Sequence, residues 1–202
     1  MAAGSLQVGK RAPAFALQDG SGRTVRLSEF RGRRVVLYFY PKDDTPGCTK
    51  EACSFRDDLA AFSREGAVVF GVSRDDVASH ARFAQKFRLN FPLLSDPDAA
   101  VCKAYGVYKQ KSMYGRTYWG IERTTFIINE GGRIAAVFPK VKVEAHLDEV
   151  LRTLRGWPAS APGAARRPAR AGTTRPCGDT SPAGKVRRWP TRSPRTPTAP
   201  ST

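Results

Sequence analysis

Residues 35–59 read VVLYFYPKDDTPGCTKEACSFRDDL. Val35 to Tyr40 is a continuous apolar run, rich in β-branched and aromatic residues, and it stops at Pro41. A short run of that kind, closed by proline, predicts a buried strand. Thr45-Pro46-Gly47-Cys48 follows. Thr45 suits an N-cap and Pro46 suits the first helical position. Phe55, Leu59 and Phe62 then recur at helical spacing. The stretch therefore predicts a buried strand running into a helix, with Cys48 in the first helical turn.

That placement carries chemistry. The first turn of a helix has unpaired backbone N–H groups and the positive end of the dipole. A thiolate is favoured there over a thiol, and the same N–H groups can bind an oxygen beside the sulfur. Gly47 lets backbone approach closely. Cys53 lies five residues further on. An ideal helix carries it about 7.5 Å along the axis and about 140° around. A disulfide needs Cα atoms within about 6.8 Å. The two cysteines cannot bond while the helix is intact, so a redox pair here requires the first turns to unwind.

Outward from this stretch, the chain alternates strands and helices. Ala14–Leu17 and Thr24–Leu27 flank Asp19-Gly20-Ser21-Gly22 as a hairpin, and Ser28–Gly32 reads as one helical turn. Ala67–Ser73 is a second buried strand, and Asp75-Asp76 opens a helix bearing Val77, Phe83, Ala84 and Phe87. Phe91–Leu94 is a short strand. Asp96 starts a helix ending at Gly106. Thr124–Asn129 and Arg133–Phe138 form a hairpin, and Glu144–Leu154 closes with an apolar helix face. The pattern predicts an α/β sheet covered on both faces.

The character changes at Pro158. Nine of the chain's 15 prolines lie in residues 158–202. Up to Trp157 there are 25 basic and 17 acidic residues; beyond it there are nine and one. This composition cannot bury a core, so 1–157 is expected to fold and 158–202 to form a basic disordered tail. Such a tail could touch nucleic acid through charge alone, but a solvated tail is the simpler reading and no nucleic-acid partner is expected. No run approaches the ~20 apolar residues of a membrane span. The N-terminus MAAGSLQVGKRAPAF has no apolar core of a secretory signal, so a reducing cytoplasm is expected. His80 and His146 are isolated, and neither a GxGxxG nor a P-loop occurs, so no metal or cofactor is expected.

Pro41-xxx-Thr45-xx-Cys48 resembles the active-site motif of peroxiredoxins. The longer string YFYPKDDTPGCTKEAC, with a second cysteine at plus five, resembles the bacterioferritin comigratory protein (Q-type) subfamily. The resemblance continues through FPLLSD, GRTYWGIERTTFII and the last helix, covering roughly residues 6 to 156. It implies a thioredoxin-like fold with an N-terminal β-hairpin extension, and a thiol peroxidase acting on hydrogen peroxide and organic hydroperoxides. It further implies that Cys48 attacks the O–O bond, that Thr45 and backbone N–H groups near Gly47 hold the peroxide, and that Pro41 shields the sulfur. Arg123 would stabilise the thiolate and the charge developing on oxygen. Cys53 would resolve the sulfenic acid as a Cys48–Cys53 disulfide, which a thioredoxin-type dithiol would reduce. A monomer or weak dimer is implied.

Each residue also has a plainer reading. Cys48 could be a buried small residue, and Cys53 a packing residue. Arg123 could be a surface arginine or a partner of Glu122. Cys102 reads as core, and Cys177 as an incidental thiol in the tail. The pairs Asp43-Asp44, Asp57-Asp58 and Asp75-Asp76 read as caps and solvated faces. Tyr40, Phe83, Tyr118 and Trp119 could line a pocket, but read more simply as core. A disulfide oxidoreductase is the rival enzyme reading. It is weaker because no C-x-x-C occurs.

Overall fold

Helices and strands alternate through most of the chain, and the α/β class expected from the sequence is the class observed. The computed structural model describes residues 6–113 and 116–157. The expected tail and Cys177 lie outside the described residues.

A hairpin opens the fold, β1 (Ala16–Asp19) and β2 (Thr24–Arg26). Asp19 shapes its turn, because Oδ1 accepts from the backbone N–H of Ser21 and Arg23 at 2.9 and 3.0 Å. β1 therefore starts two residues later than the sequence suggested. A 3-10 turn, Leu27–Phe30, follows. Next come β3 (Arg34–Phe39), α1 (Pro46–Asp57), α2 (Leu59–Arg64) and β4 (Ala67–Ser73). α3 (Val77–Phe87) starts at Asp76, whose side chain caps Ser79 N–H as its sequence position suggests. β5 (Leu93–Ser95) and α4 (Ala100–Ala104) follow. Then come β6 (Tyr108–Met113), β7 (Arg116–Ile121), β8 (Thr124–Ile128), β9 (Ile134–Pro139) and α5 (Val143–Gly156).

Seven strands form one mixed sheet in the order β2-β1-β5-β4-β3-β8-β9. β3 lies inside it, parallel to β4 and antiparallel to β8. Side chains alternate across a strand, so a strand buried on both faces feeds two cores. Val35, Leu37 and Phe39 join a cluster with Phe70, Val101, Cys102 and Phe126. Val36 and Tyr38 join the other, with Tyr40, Cys48, Phe55, Phe62, Phe83 and the α5 residues Leu147, Val150 and Leu154. Helices α1, α2, α3 and α5 thus cover one face. α4 and the chain around Phe15 cover the other.

Two features depart from the sequence reading. The helix expected through Phe55, Leu59 and Phe62 is broken at Asp58, which ends α1 and begins α2. Phe55 and Phe62 still reach one core, their rings 5.4 Å apart. The pair β6–β7 was not foreseen. It forms a separate two-stranded sheet, whose residues Tyr108 and Trp119 stack at 5.6 Å. Trp119 is 59% exposed and Tyr118 43%, so neither is core, whereas Tyr40 and Phe83 are.

Candidate active site

The chain leaves the carboxyl end of β3 at Tyr40, turns through Pro41–Thr45 and enters α1. Thr45 has the extended backbone of an N-cap (φ −96°, ψ 149°), and Pro46 is the first helical residue. Thr45 does not cap with its side chain, however. Its hydroxyl donates to the Lys42 carbonyl at 3.2 Å. Pro41 is exposed at the end of the strand.

Cys48 is the third residue of α1 and is 2% exposed. The N–H groups of Gly47 and Cys48 are among those a helix start leaves without an intrahelical acceptor. Arg123 reaches the sulfur from the two-residue link between β7 and β8. Its Nη2 donates to Cys48 Sγ at 3.2 Å, and its Nη1 donates to Glu51. One planar fork thus serves both groups, a geometry lysine cannot offer. Gly47 keeps the backbone close to this fork, since a Cβ there would lie 3.4 Å from Arg123 Nη2. The Arg123 backbone is pinned as well, with Val141 N–H donating to its carbonyl.

Glu51 was missed by the sequence reading. It is fully buried and three residues after Cys48, hence on the same helix face. That spacing was the available signal. Burial pushes its carboxyl up to about 7, against the opposing pull of Arg123. The plainer reading of Arg123 as a partner of Glu122 does not hold; Glu122 pairs with Lys109 at 2.6 Å. Lys111 of β6 adds a third cation to this neighbourhood. Its Nζ donates to the Ile121 carbonyl at 2.6 Å, and burial and Arg123 together lower its pKa.

Cys53 is half-buried and reduced, in the same unbroken helix as Cys48. Cys102 sits in the core as expected. Burial and the adjacent Asp96 push its thiol well up, which disfavours the thiolate. Asp43 is a correction. It is 6% exposed rather than solvated and lies against His80, with Asp43 Oδ2 and His80 Nδ1 2.9 Å apart. Among the described residues, no group of three or more His, Cys, Asp or Glu is placed to share a metal ion.

A reduced cysteine at a helix start, with an arginine donating to its sulfur, is a site for nucleophilic sulfur chemistry. Comparison with known proteins agrees. The AhpC/TSA family matches residues 8–137. The chain is 53% identical over 150 residues to a putative peroxiredoxin Bcp of Coxiella burnetii, covering 74% of this chain and 99% of that one. It is 45% identical over 151 residues to the peroxiredoxin Bcp of Bacillus subtilis, covering 75% and 96%. Among solved structures, the bacterioferritin comigratory protein of Xanthomonas campestris superposes with a TM-score of 0.70 at 42% identity, covering 74% and 98%. The sheet and its helices are accordingly the thioredoxin-like fold of peroxiredoxins. With motif, fold and sequence in agreement, the chain belongs to the AhpC/TSA family and is a peroxiredoxin of the Bcp, or Q, type.

Proposed function

We propose that this chain is a thioredoxin-dependent thiol peroxidase of hydrogen peroxide and organic hydroperoxides, with residues 1–157 as its catalytic unit. The observation that carries the reading is the 3.2 Å contact of Arg123 with Cys48 Sγ in the first turn of α1. The Cys48 thiolate attacks the distal oxygen of ROOH. The O–O bond breaks, an S–O bond forms, and the alkoxide leaves to take a proton as ROH. Cys48 becomes sulfenic acid. Arg123 and the N–H groups of the first turn stand where negative charge develops, which is where preorganised donors lower a barrier. The Thr45 hydroxyl completes the set once it turns from Lys42 to the peroxide, and Pro41 limits water at the rim.

Cys53 then attacks the sulfenic sulfur, water leaves, and a Cys48–Cys53 disulfide forms. The intact α1 keeps the two residues too far apart for this, so local unwinding is an obligatory step. A thioredoxin-type dithiol reduces the disulfide by exchange, returning both thiols. A monomer or weak dimer acting in a reducing cytoplasm, for antioxidant defence, fits this chemistry.

The test is peroxide consumption coupled to thioredoxin, thioredoxin reductase and NADPH. Wild type should consume NADPH with peroxide and Cys48→Ser should not. Cys53→Ser should keep the first reaction with peroxide and lose thioredoxin-supported turnover. Normal turnover by Cys53→Ser would remove the resolving role.

A further inference from the structure

A buried polar cluster stands just upstream of Cys48 and is not used by the peroxide chemistry above. Asp43 is its centre, with a side chain 4% exposed against a His80 side chain that is fully buried. Tyr40 Oη donates to Asp43 Oδ1 at 2.7 Å. Ser79 Oγ donates to Oδ2 at 2.8 Å. His80 Nδ1 meets the same oxygen at 2.9 Å. An ionised carboxylate only accepts, so His80 presents Nδ1–H to it. Burial opposes ionisation, yet the bonds from His80, Tyr40 and Ser79 hold the Asp43 carboxyl below its usual range. The Asp43 N–H donates to Asp75 at 2.8 Å, and Asp75 accepts from Ser73 Oγ at 2.7 Å. The end of β3 is thereby fastened to β4 and to α3.

The chain changes character one residue later. Asp44 is exposed and has φ 53°, a left-handed backbone unusual outside glycine, which persists only where its surroundings impose it. Its ion pair with Lys86 is at the surface and contributes little. Thr45 is held through the carbonyl of Lys42, the neighbour of Asp43. The opposite end of the segment is Phe55, fully buried and stacked 4.7 Å from Tyr38. Between Asp43 and Phe55, α1 is tied sideways by Arg123 to Cys48 and Glu51, and by the exposed Lys50–Glu144 pair.

We propose that Asp43 and His80 are positioning residues for the peroxidase reaction. They form the fixed upstream post from which the Cys48 segment unwinds, with Phe55 as the downstream one. The inference rests on the reaction proposed above. Intact, the post holds Thr45 and the start of α1 in the peroxide-reactive arrangement. It also confines opening to residues 44–54, which contain both cysteines. Loosening it should act in opposite directions on the two chemical steps. The first needs the ordered helix start and should slow. The second needs it unwound and should speed up.

The experiment measures both steps separately. Cys48 oxidation by hydrogen peroxide is followed in a Cys53→Ser background, and disulfide formation is followed with both cysteines present. Asp43→Asn keeps the shape but removes the charge and turns an NH2 toward either the Tyr40 hydroxyl or the Ser79 and His80 donors. It should slow oxidation about tenfold, the scale of one charge-assisted bond, while accelerating disulfide formation and deuterium uptake in residues 41–49. Ser79→Ala removes one donor and should shift the same readings with the same signs but less. It decides the matter if Asp43→Asn does not fold. Both steps slowing together, or a lower melting temperature with neither step altered, would reduce the cluster to a core stabiliser and overturn the proposal. A wild type whose Cys48 does not react with peroxide would instead refute the peroxidase reading itself.

Discussion

Replacing Glu51 by glutamine should make the protein's stability less sensitive to mild alkali, the variant gaining on wild type as pH rises. Glu51 is fully buried beside Arg123. Its carboxyl is pushed up to about 7 from the 4.5 of an unperturbed glutamate. The folded state therefore holds this proton over a range in which the unfolded chain has lost it. Such a group favours folding fully below the unfolded pKa, and the advantage is lost as pH rises through the folded one. The full span is about 3 kcal/mol, since each tenfold gain in proton affinity on folding is worth about 1.4 kcal/mol. Glutamine has the same shape and never ionises, so it lacks this slope. Urea unfolding of the reduced protein should show the variant gaining on wild type by about 2 kcal/mol between about pH 5.5 and pH 8. Parallel stability curves for the two proteins would mean that Glu51 is ionised throughout, with Arg123 fully compensating it, and the argument would fail.

Arg123→Lys should lower the rate of Cys48 oxidation on the order of a hundredfold with the fold retained, because one ammonium cannot serve both the sulfur and Glu51; an unchanged stopped-flow rate would dismiss the fork geometry. Gly71→Ala should destabilise by about 1–3 kcal/mol, since a Cβ there would stand 2.7 Å from the Tyr38 ring and hydroxyl and 2.8 Å from Leu93. Calorimetry showing no loss would imply that Tyr38 has room to move. His146 should titrate near 4 by NMR, because burial and then Arg123 lower its pKa to about 4. Its contribution to stability is complete above 6.5 and is lost as pH falls toward 4. A midpoint near 6.5 would contradict the buried contact with Thr125.

The parts of the fold that could be read from sequence are those where burial leaves a local trace. Val35–Tyr40 is apolar on both alternating faces because both faces are covered, and Pro41 and Pro46 mark where the strand stops and the helix starts. β6–β7 left no such trace. Tyr108–Met113 reads YKQKSM and lies outside the main sheet, so no apolar alternation marks it. Acids were misjudged for a different reason. Asp43 reads as a solvated acid in sequence and Glu51 carries no mark of burial, because the partners that make burial tolerable include His80 and Arg123, 37 and 72 positions away. Cys48 and Arg123 could each be picked out in the sequence as candidates, and the fold brings them into contact. That a single guanidinium is shared between sulfur and carboxylate is a matter of three-dimensional placement, and no spacing encodes it.

Arg123 occupies a short link held at both ends, with Glu122 N–H on the Val107 carbonyl at 2.8 Å and Val141 N–H on the Arg123 carbonyl at 3.1 Å. Neither tether involves α1. The site is thus divided between a stationary wall that carries the charge and a helix that carries the sulfur. If the helix opens as proposed, these two backbone tethers need not break. In the proposed cycle, resetting the site would amount to re-docking one short helical segment against the held Arg123 backbone, with the guanidinium regaining Cys48 and Glu51 together.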